Sequence, residues 1–369
     1  MPAPSIARRR MHAGRLIGDR FTAPADVVRH HLAMQAQEYG PAKWSIGQRS
    51  DGVLDPDVDH AVEDGSIVRT HILRPTWHFV AREDLRWLMA LSGPRVTQGN
   101  AGRYRRLGLD AKSFDRAATL IVRELDGGAR RTRDQLAEAL DRAGFDREGQ
   151  RMPHILMQLE LDLVIGSGGL DGKQQTYVLL DGRIPSTKPI DRDEALVELV
   201  RRYLGSHGPA TVKDMSWWSG ITMGDLRRAL GDLGDGVRSE EANGFTFWSR
   251  SSADPRPPTA RGAQLLQTYD ELVVGYTESR FAGDPSSGLA RGAWMERSFP
   301  TGLLLLGDRV GGHWRRTFER DGVRIEAHLY EEPTSATTKA VSAVARRFGR
   351  FVGLTPSIEQ SRYAASKGR

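Results

Sequence analysis

DEALVELVRRYLGSHGPATVKDMSWWSGITMGDLRRALGDLGDGVRSEEANGFTFW, residues 193–248, carries the plan of the chain. DEALVELVRRYLGSHG reads as a helix with a glycine stop. ATVKDMSWWSG and ITMGDLRRALGDLG read as two shorter helices. GVRSEEANGFTFW reads as two strands around an Asn-Gly turn, the pair that fits a tight hairpin. Helix, helix, helix, hairpin is the plan of a winged helix-turn-helix unit, whose third helix commonly enters a DNA groove.

The same plan recurs upstream. Over 111–181, KSFDRAATLIVREL has apolar spacing of three and four. Thr132 is placed to cap the next helix, which ends at Gly144. GQRMPHILMQLELDLV and the Gly-rich hairpin IGSGGLDGKQQTYVLL follow. Over 22–80, Thr22 is placed to cap a helix with Pro24 in its first turn. Val28, Leu32, Gln35 and Tyr39 then share one face, and Gly40-Pro41 stops the helix. AKWSIGQRS and DPDVDHAVEDG are short helical segments, and RPTWHFV suits an edge hairpin because of its proline. Beyond the Pro-, Ser- and Arg-rich stretch 249–262, QLLQTYDELVVGY, GLLLLGDRVGGHWRRTFERD and VRIEAHLY read as antiparallel strands, and 334–352 as a final helix.

The expected class is therefore α+β and mostly helical: three tandem winged-helix units in a concave arrangement with a β-rich C-terminal part. The expected boundaries are 1–110, 111–190, 191–250 and 251–369. A chain of 369 residues is long enough for several such units.

Composition narrows the function. The net charge is +6, mostly arginine, which favours a polyanionic partner. There is no cysteine, which excludes thiol chemistry, disulfides and Cys-ligated zinc. The histidines show no HExxH or other dense metal spacing, no P-loop is present, and GSGG at 166–169 does not open a helix as a dinucleotide loop must. The N-terminus lacks the apolar run of a signal peptide, and LLLL (303–306) is far too short to span a bilayer. A soluble, cytoplasmic (nucleoid-associated) protein is expected.

One motif resists a structural reading. In HLAMQAQEYGPAKWSIGQRS (31–50), two amides flank a small alanine. On a helix Gln35 and Gln37 would point about 200° apart, so they share a site only if the helix ends there. Gln35 would sit on the apolar stripe, where an unpaired amide costs roughly 1–3 kcal/mol. It either bonds a nearby carbonyl or holds a water or ligand. In TYDELVVGY (268–276), Asp270 and Glu271 in an apolar strand suggest a buried ion pair with an arginine.

QAQEYGPAKWS, LRPTWHFV, RRYLGSHGPATVKDMSWWSG, YDELVVGY and GDRVGGHWRR together resemble the AlkZ-like DNA glycosylases, in order and over nearly the whole chain. The resemblance implies tandem winged-helix units around a concave DNA-binding face. The family's QxQ pair maps onto Gln35 and Gln37 as catalytic residues, where other members carry QxD. Trp44, Arg74, Thr76, Trp77 and His78, with Arg309, His313, Trp314 and Arg315 of the late hairpin, map as substrate or DNA contacts. It further implies a monofunctional glycosylase for cationic alkylated purines, N7-alkylguanine or N3-alkyladenine, bulky natural-product adducts and crosslinks included. The expected partner is double-stranded DNA, with no membrane, no cofactor and a monomeric state. A winged-helix transcription regulator without catalysis is the alternative. Regulators of that type are usually dimers on paired half-sites.

Amides make chemical sense for such a lesion. Alkylation has already charged the base, so it leaves without a strong acid. The sugar becomes oxocarbenium-like as the bond breaks. A carboxamide oxygen can accept from a water and turn its negative end toward that cation. On an open face, a bulky lesion could be attacked while still in the stack.

Overall fold

The structure, a computed structural model, describes residues 5–145, 150–186, 189–282 and 302–363. The fold is mixed α+β, about 47% helical. In chain order come α1 (Ile6–Ala13), α2 (Pro24–His31), β1 (Ala33–Gln35), α3 (Tyr39–Gly47), α4 (Asp55–Glu63), β2 (Ile67–Ile72), β3 (Arg74–Ala81) and α5 (Arg82–Arg106). Then follow α6 (Ala111–Glu124), β4 (Arg131–Thr132), α7 (Arg133–Arg142), α8 (Arg151–Leu161), β5 (Ile165–Asp171) and β6 (Gln174–Leu179). Next are α9 (Arg192–His207), α10 (Val212–Ser219), α11 (Met223–Leu233), β7 (Val237–Ala242) and β8 (Phe245–Arg250). The last part holds β9 (Ala263–Leu265), α12 (Glu271–Val274), β10 (Gly302–Leu306), β11 (Arg309–Phe318), β12 (Gly322–Leu329), α13 (Ser335–Val352) and β13 (Thr355–Arg362).

Local signals placed many of these elements. The Thr132 hydroxyl accepts from the Gln135 amide, and the Gln135 side chain reciprocates, closing a capping box at α7. Asn243 and Gly244 both have positive φ between β7 and β8, as the two-residue turn requires.

The first unit departs from its expected reading. Ala23, not Thr22, caps α2, and no side chain contributes. The helix stops at His31 because Leu32 turns to φ 69°. Such a conformation costs of order 1–3 kcal/mol in a non-glycine residue. It is held by complete burial of the Leu32 side chain. The chain then runs extended as β1, so Gln35 stands on a strand rather than on a helical stripe. Gly40 and Pro41 lie in the first turn of α3, where proline's missing N–H is harmless.

RPTWHFV is not an edge. β3 lies between β1 and β2. Pro75 escapes the ladder because it falls at the bulge beside His71 and Ile72, beyond the three residues that β1 pairs. Nor is TYDELVVGY a strand: Asp270 caps the short α12 by accepting from the Leu272 amide. The 25-residue α5 stands where no element was expected.

The β1–β3–β2 sheet lies between two apolar cores. Ala33, Val68, Ile72 and Val80 face one, built with α5, α6, α8, α9 and α10. Met34, Ile67 and Phe79 face the other, completed by Trp44, Trp314, Ile325 and Phe348 from α3, β11, β12 and α13. A small three-stranded sheet is thus braced on both faces.

Candidate active site

Gln35 ends β1 opposite His78. The ladder continues one residue further, the Ala36 amide donating to Trp77 O at 2.8 Å. Side chains alternate along an extended chain, and Met34 and Ala36 enter the second core. The helix that would have set the two amides about 200° apart is not formed: Gln35 ends β1, and Gln37 lies just beyond it where the chain bends. Gln35 is nearly buried and Gln37 is exposed.

The main chain here is pinned from several directions. Arg69 donates to Ala36 O at 2.9 Å and to Gln37 O at 3.4 Å, with its guanidinium 4.5 Å from the centre of the Trp77 ring. The Gln35 amide donates to Glu271 Oε1 at 2.6 Å. Arg74 donates to the Gln35 carboxamide oxygen at 3.2 Å and lies 5.3 Å from the centre of the half-exposed Trp217 ring.

Across the sheet, Gln35, His78 and Thr70 form one row. Burial pushes His78 down to about 3, so it is neutral. His78 Nδ1 donates to Thr76 O at 2.9 Å, which leaves Nε2 as an acceptor. His78 Nε2, Thr70 Oγ1 and Thr76 Oγ1 have no partner among the described residues. Unpaired polar atoms are expensive inside a core, and they mark this row as built for something other than packing.

Glu271 is buried with three donors on it: the Gln35 amide, the Trp218 indole N–H at 2.8 Å and His207 Nε2 at 3.1 Å. Burial raises its carboxyl, but His207 and the Gln35 amide outweigh that and hold it below the usual carboxylate range. Asp270 pairs with Arg49 through two 2.7 Å bonds, the expected buried ion pair. Among the described residues, Glu271 has no arginine partner.

The other expected contacts scatter. Arg74 and His78 gather at Gln35, the first bonded to its carboxamide and the second opposite it on the sheet, with Thr76 bonded to His78 through its carbonyl. The Trp77 ring lies on the opposite face from His78, where it lines a cavity of about 500 Å³ with His71, Arg103, Arg133, His154 and Tyr177. Trp44 and Trp314 are interior, donating to Leu265 O and Leu266 O and packing on Phe348, so neither presents a surface. His313 is buried beside His328 and Tyr363. Arg315 is exposed and bonded to Glu326, and Arg309 is exposed. The tight turn at Gly307-Asp308 is docked, with Ser5 donating to Asp308 at 2.5 Å. The projecting tip is the next one, between β11 and β12, where Phe318 is 56% exposed. Arg316 on this hairpin feels the charges of Glu38 and Asp55, which places it beside the glutamine segment. Sequence reading passed over Phe318, Trp217 and Arg69, and took Arg316 only as the last residue of GDRVGGHWRR. The exposed phenylalanine in a strand of arginines was the one signal available.

Among the described residues, no cluster of His, Asp or Glu could hold a metal, and no helix is long and apolar enough to cross a membrane.

A family model described as DNA glycosylase AlkZ-like matches residues 28–351. An interstrand DNA cross-link repair glycosylase of Streptomyces sahachiroi is 25% identical over 88% of this chain and 91% of its own. The solved structure of the Streptomyces sahachiroi DNA glycosylase AlkZ shares the fold: TM-score 0.78, 21% identity, covering 96% of this chain and 98% of that one.

Proposed function

The chain belongs to the AlkZ-like DNA glycosylase family and is a DNA glycosylase, and on that premise we propose that it hydrolyses the N-glycosidic bond of cationic alkylated purines without lyase chemistry. N7-alkylguanine is the leading substrate and N3-alkyladenine the second. The cross-link activity named for the Streptomyces sahachiroi relative extends the proposal to bulky adducts that bridge the strands. The helix–hairpin units act as winged-helix modules along a concave DNA face, and the enzyme works as a monomer.

The observation that carries this reading is Gln35 held at the end of β1, with Gln37 exposed two residues further on where the chain bends. Their amides hold one water below C1′ from two directions. As the bond to the charged base lengthens, the electron pair moves to the base and the sugar becomes cationic. The carboxamide oxygens face that cation, and the held water adds to C1′ and gives up its proton to solvent. Preoriented dipoles of this kind supply several kcal/mol of barrier lowering. An undamaged purine needs protonation that an amide cannot give, so selectivity follows. Lys43, the lysine nearest the glutamines in sequence, is locked between Asp55 at 2.6 Å and Asp59 at 2.8 Å and so is not a free amine for a Schiff base.

Release of N7-methylguanine from a duplex, under single turnover, tests the reading. Wild type should release the base. Gln35→Ala and Gln37→Ala should each lose roughly tenfold or more. Undiminished release by the double variant refutes it.

A further inference from the structure

Glu271 stands out because its chemistry is not needed for packing. A carboxylate in an interior is costly unless every lone pair is used. Here its partners among the described residues come from three elements: the Gln35 amide at the edge of β1, His207 on α9 and Trp218 on α10. Gln35 lies on β1, an edge strand whose Gln35 amide points away from β3 and would otherwise face the interior unpaired. Glu271 takes that amide at 2.6 Å. It is itself oriented by Trp218 and His207, and His207 is set in turn by the Ser206 hydroxyl at 2.8 Å. The Tyr203 ring stacks on His207 at 4.6 Å. Four residues of α9 and α10 therefore fix the angle of one carboxylate.

We infer that Glu271 is a positioning residue of the glycosylase reaction: it holds Gln35 by its main-chain amide and lends the site a buried negative charge where the sugar cation forms. The inference rests on the role proposed for Gln35. Its carboxylate lies 2.6 Å from the Gln35 amide, and it opposes the lowering that burial imposes on Arg74 and His78 without reversing it. A developing cation beside the Gln35 carboxamide experiences the same field. A neutral acceptor could tether the amide equally well but would supply no such field.

Glu271→Gln keeps the shape and one acceptor and removes the charge. Asp214→Asn is the matched control. Asp214 is also fully buried and multiply bonded, to Thr211, Thr277 and Ser279, yet does not touch Gln35. At a temperature where all variants are folded, Glu271→Gln should slow single-turnover release of N7-methylguanine by roughly ten- to a hundredfold. Duplex affinity should stay within about twofold of wild type. Asp214→Asn should keep its rate within about twofold. In a Gln35→Ala background, Glu271→Gln should slow the reaction no further, since the two act as one unit. A wild-type rate in Glu271→Gln, a penalty additive with Gln35→Ala, or a rate loss in Asp214→Asn equal to that in Glu271→Gln overturns the inference. If Gln35→Ala itself costs nothing, the proposed function fails first, which separates the two failures.

A measurement on the wild-type protein decides the case if Glu271→Gln does not fold. The Gln35 amide proton should resonate far downfield and move upfield on acidification as the Glu271 carboxyl takes a proton. The other titratable or charged groups near that carboxyl are His207, His78, Arg74, Tyr203 and Tyr276. An amide that is unshifted, or that exchanges freely with solvent, overturns it.

Discussion

The Arg74 guanidinium donates to the Gln35 carboxamide oxygen at 3.2 Å, across the 39 residues that separate the two in the chain. Arginine can only donate, and this fixes the oxygen end of the amide toward Arg74. Removing it frees the amide to rotate. Arg74→Ala should lower the single-turnover rate by roughly tenfold. Arg74→Lys should recover part of that loss, since charge returns without the planar fork. A rate in Arg74→Ala equal to wild type would dissociate Arg74 from the orientation of Gln35.

The pH profile should be flat. The amides do not titrate, and burial holds His78 at about 3, so it is neutral above pH 5. Base release from N7-methylguanine DNA should vary less than about threefold between pH 6 and 9, because no general acid or base near neutrality is required. A bell-shaped profile with a limb near 6.5 would point to a histidine acting in the reaction.

Stability, in contrast, should depend on pH. Burial lowers His30 to about 4 and His78 to about 3, against 6.5 in an unfolded chain, and lowers His31 well below 6.5. Between those limits the unfolded chain binds more protons, so stability is fully present above 6.5 and is lost as pH falls through the window. The melting temperature should drop by several degrees between pH 7 and pH 5. His78→Asn should flatten that slope in part, at the expense of packing at neutral pH. A melting temperature independent of pH across this range would contradict the neutral burial of these rings.

Phe318 should matter to DNA and not to folding. It is exposed at the hairpin tip, and Arg316 lies over its ring at 5.9 Å. An apolar side chain flanked by arginines can wedge between base steps from the minor groove. Phe318→Ala should leave the melting temperature within about one degree. It should weaken duplex binding several-fold, roughly in line with losing one stacked aromatic contact. Unchanged affinity would remove the hairpin tip from the interface.

What was legible in the sequence was local. Thr132 and Asn243-Gly244 act within three residues of themselves, and each does in the structure what its pattern required. Gln35 and Gln37 could be singled out because uncharged amides at a buried position need a reason. Their setting could not be read. A three-residue strand has too little periodicity to declare itself, and its partner Val80–His78 lies more than forty residues downstream. Leu32 carries no sign that its φ will be positive. Asp270 and Glu271 were noticed as acids, but one became a cap with an arginine and the other an amide acceptor, a division set by Arg49, His207 and Trp218 from elsewhere in the chain. Trp44, His313 and Trp314 illustrate the opposite error, because aromatic residues in a resemblance motif are as readily core as contact.

The bond from Gln35 to Glu271 joins positions 236 residues apart. A ribosome that has released the glutamine strand must synthesise two-thirds of the protein again before the carboxylate that braces it emerges. A polypeptide cut short anywhere in between carries both glutamines and no brace. Under the roles proposed for Gln35 and Glu271, truncated or half-translated copies should be inert, which would spare a cell making this enzyme fragments able to excise bases from its own genome.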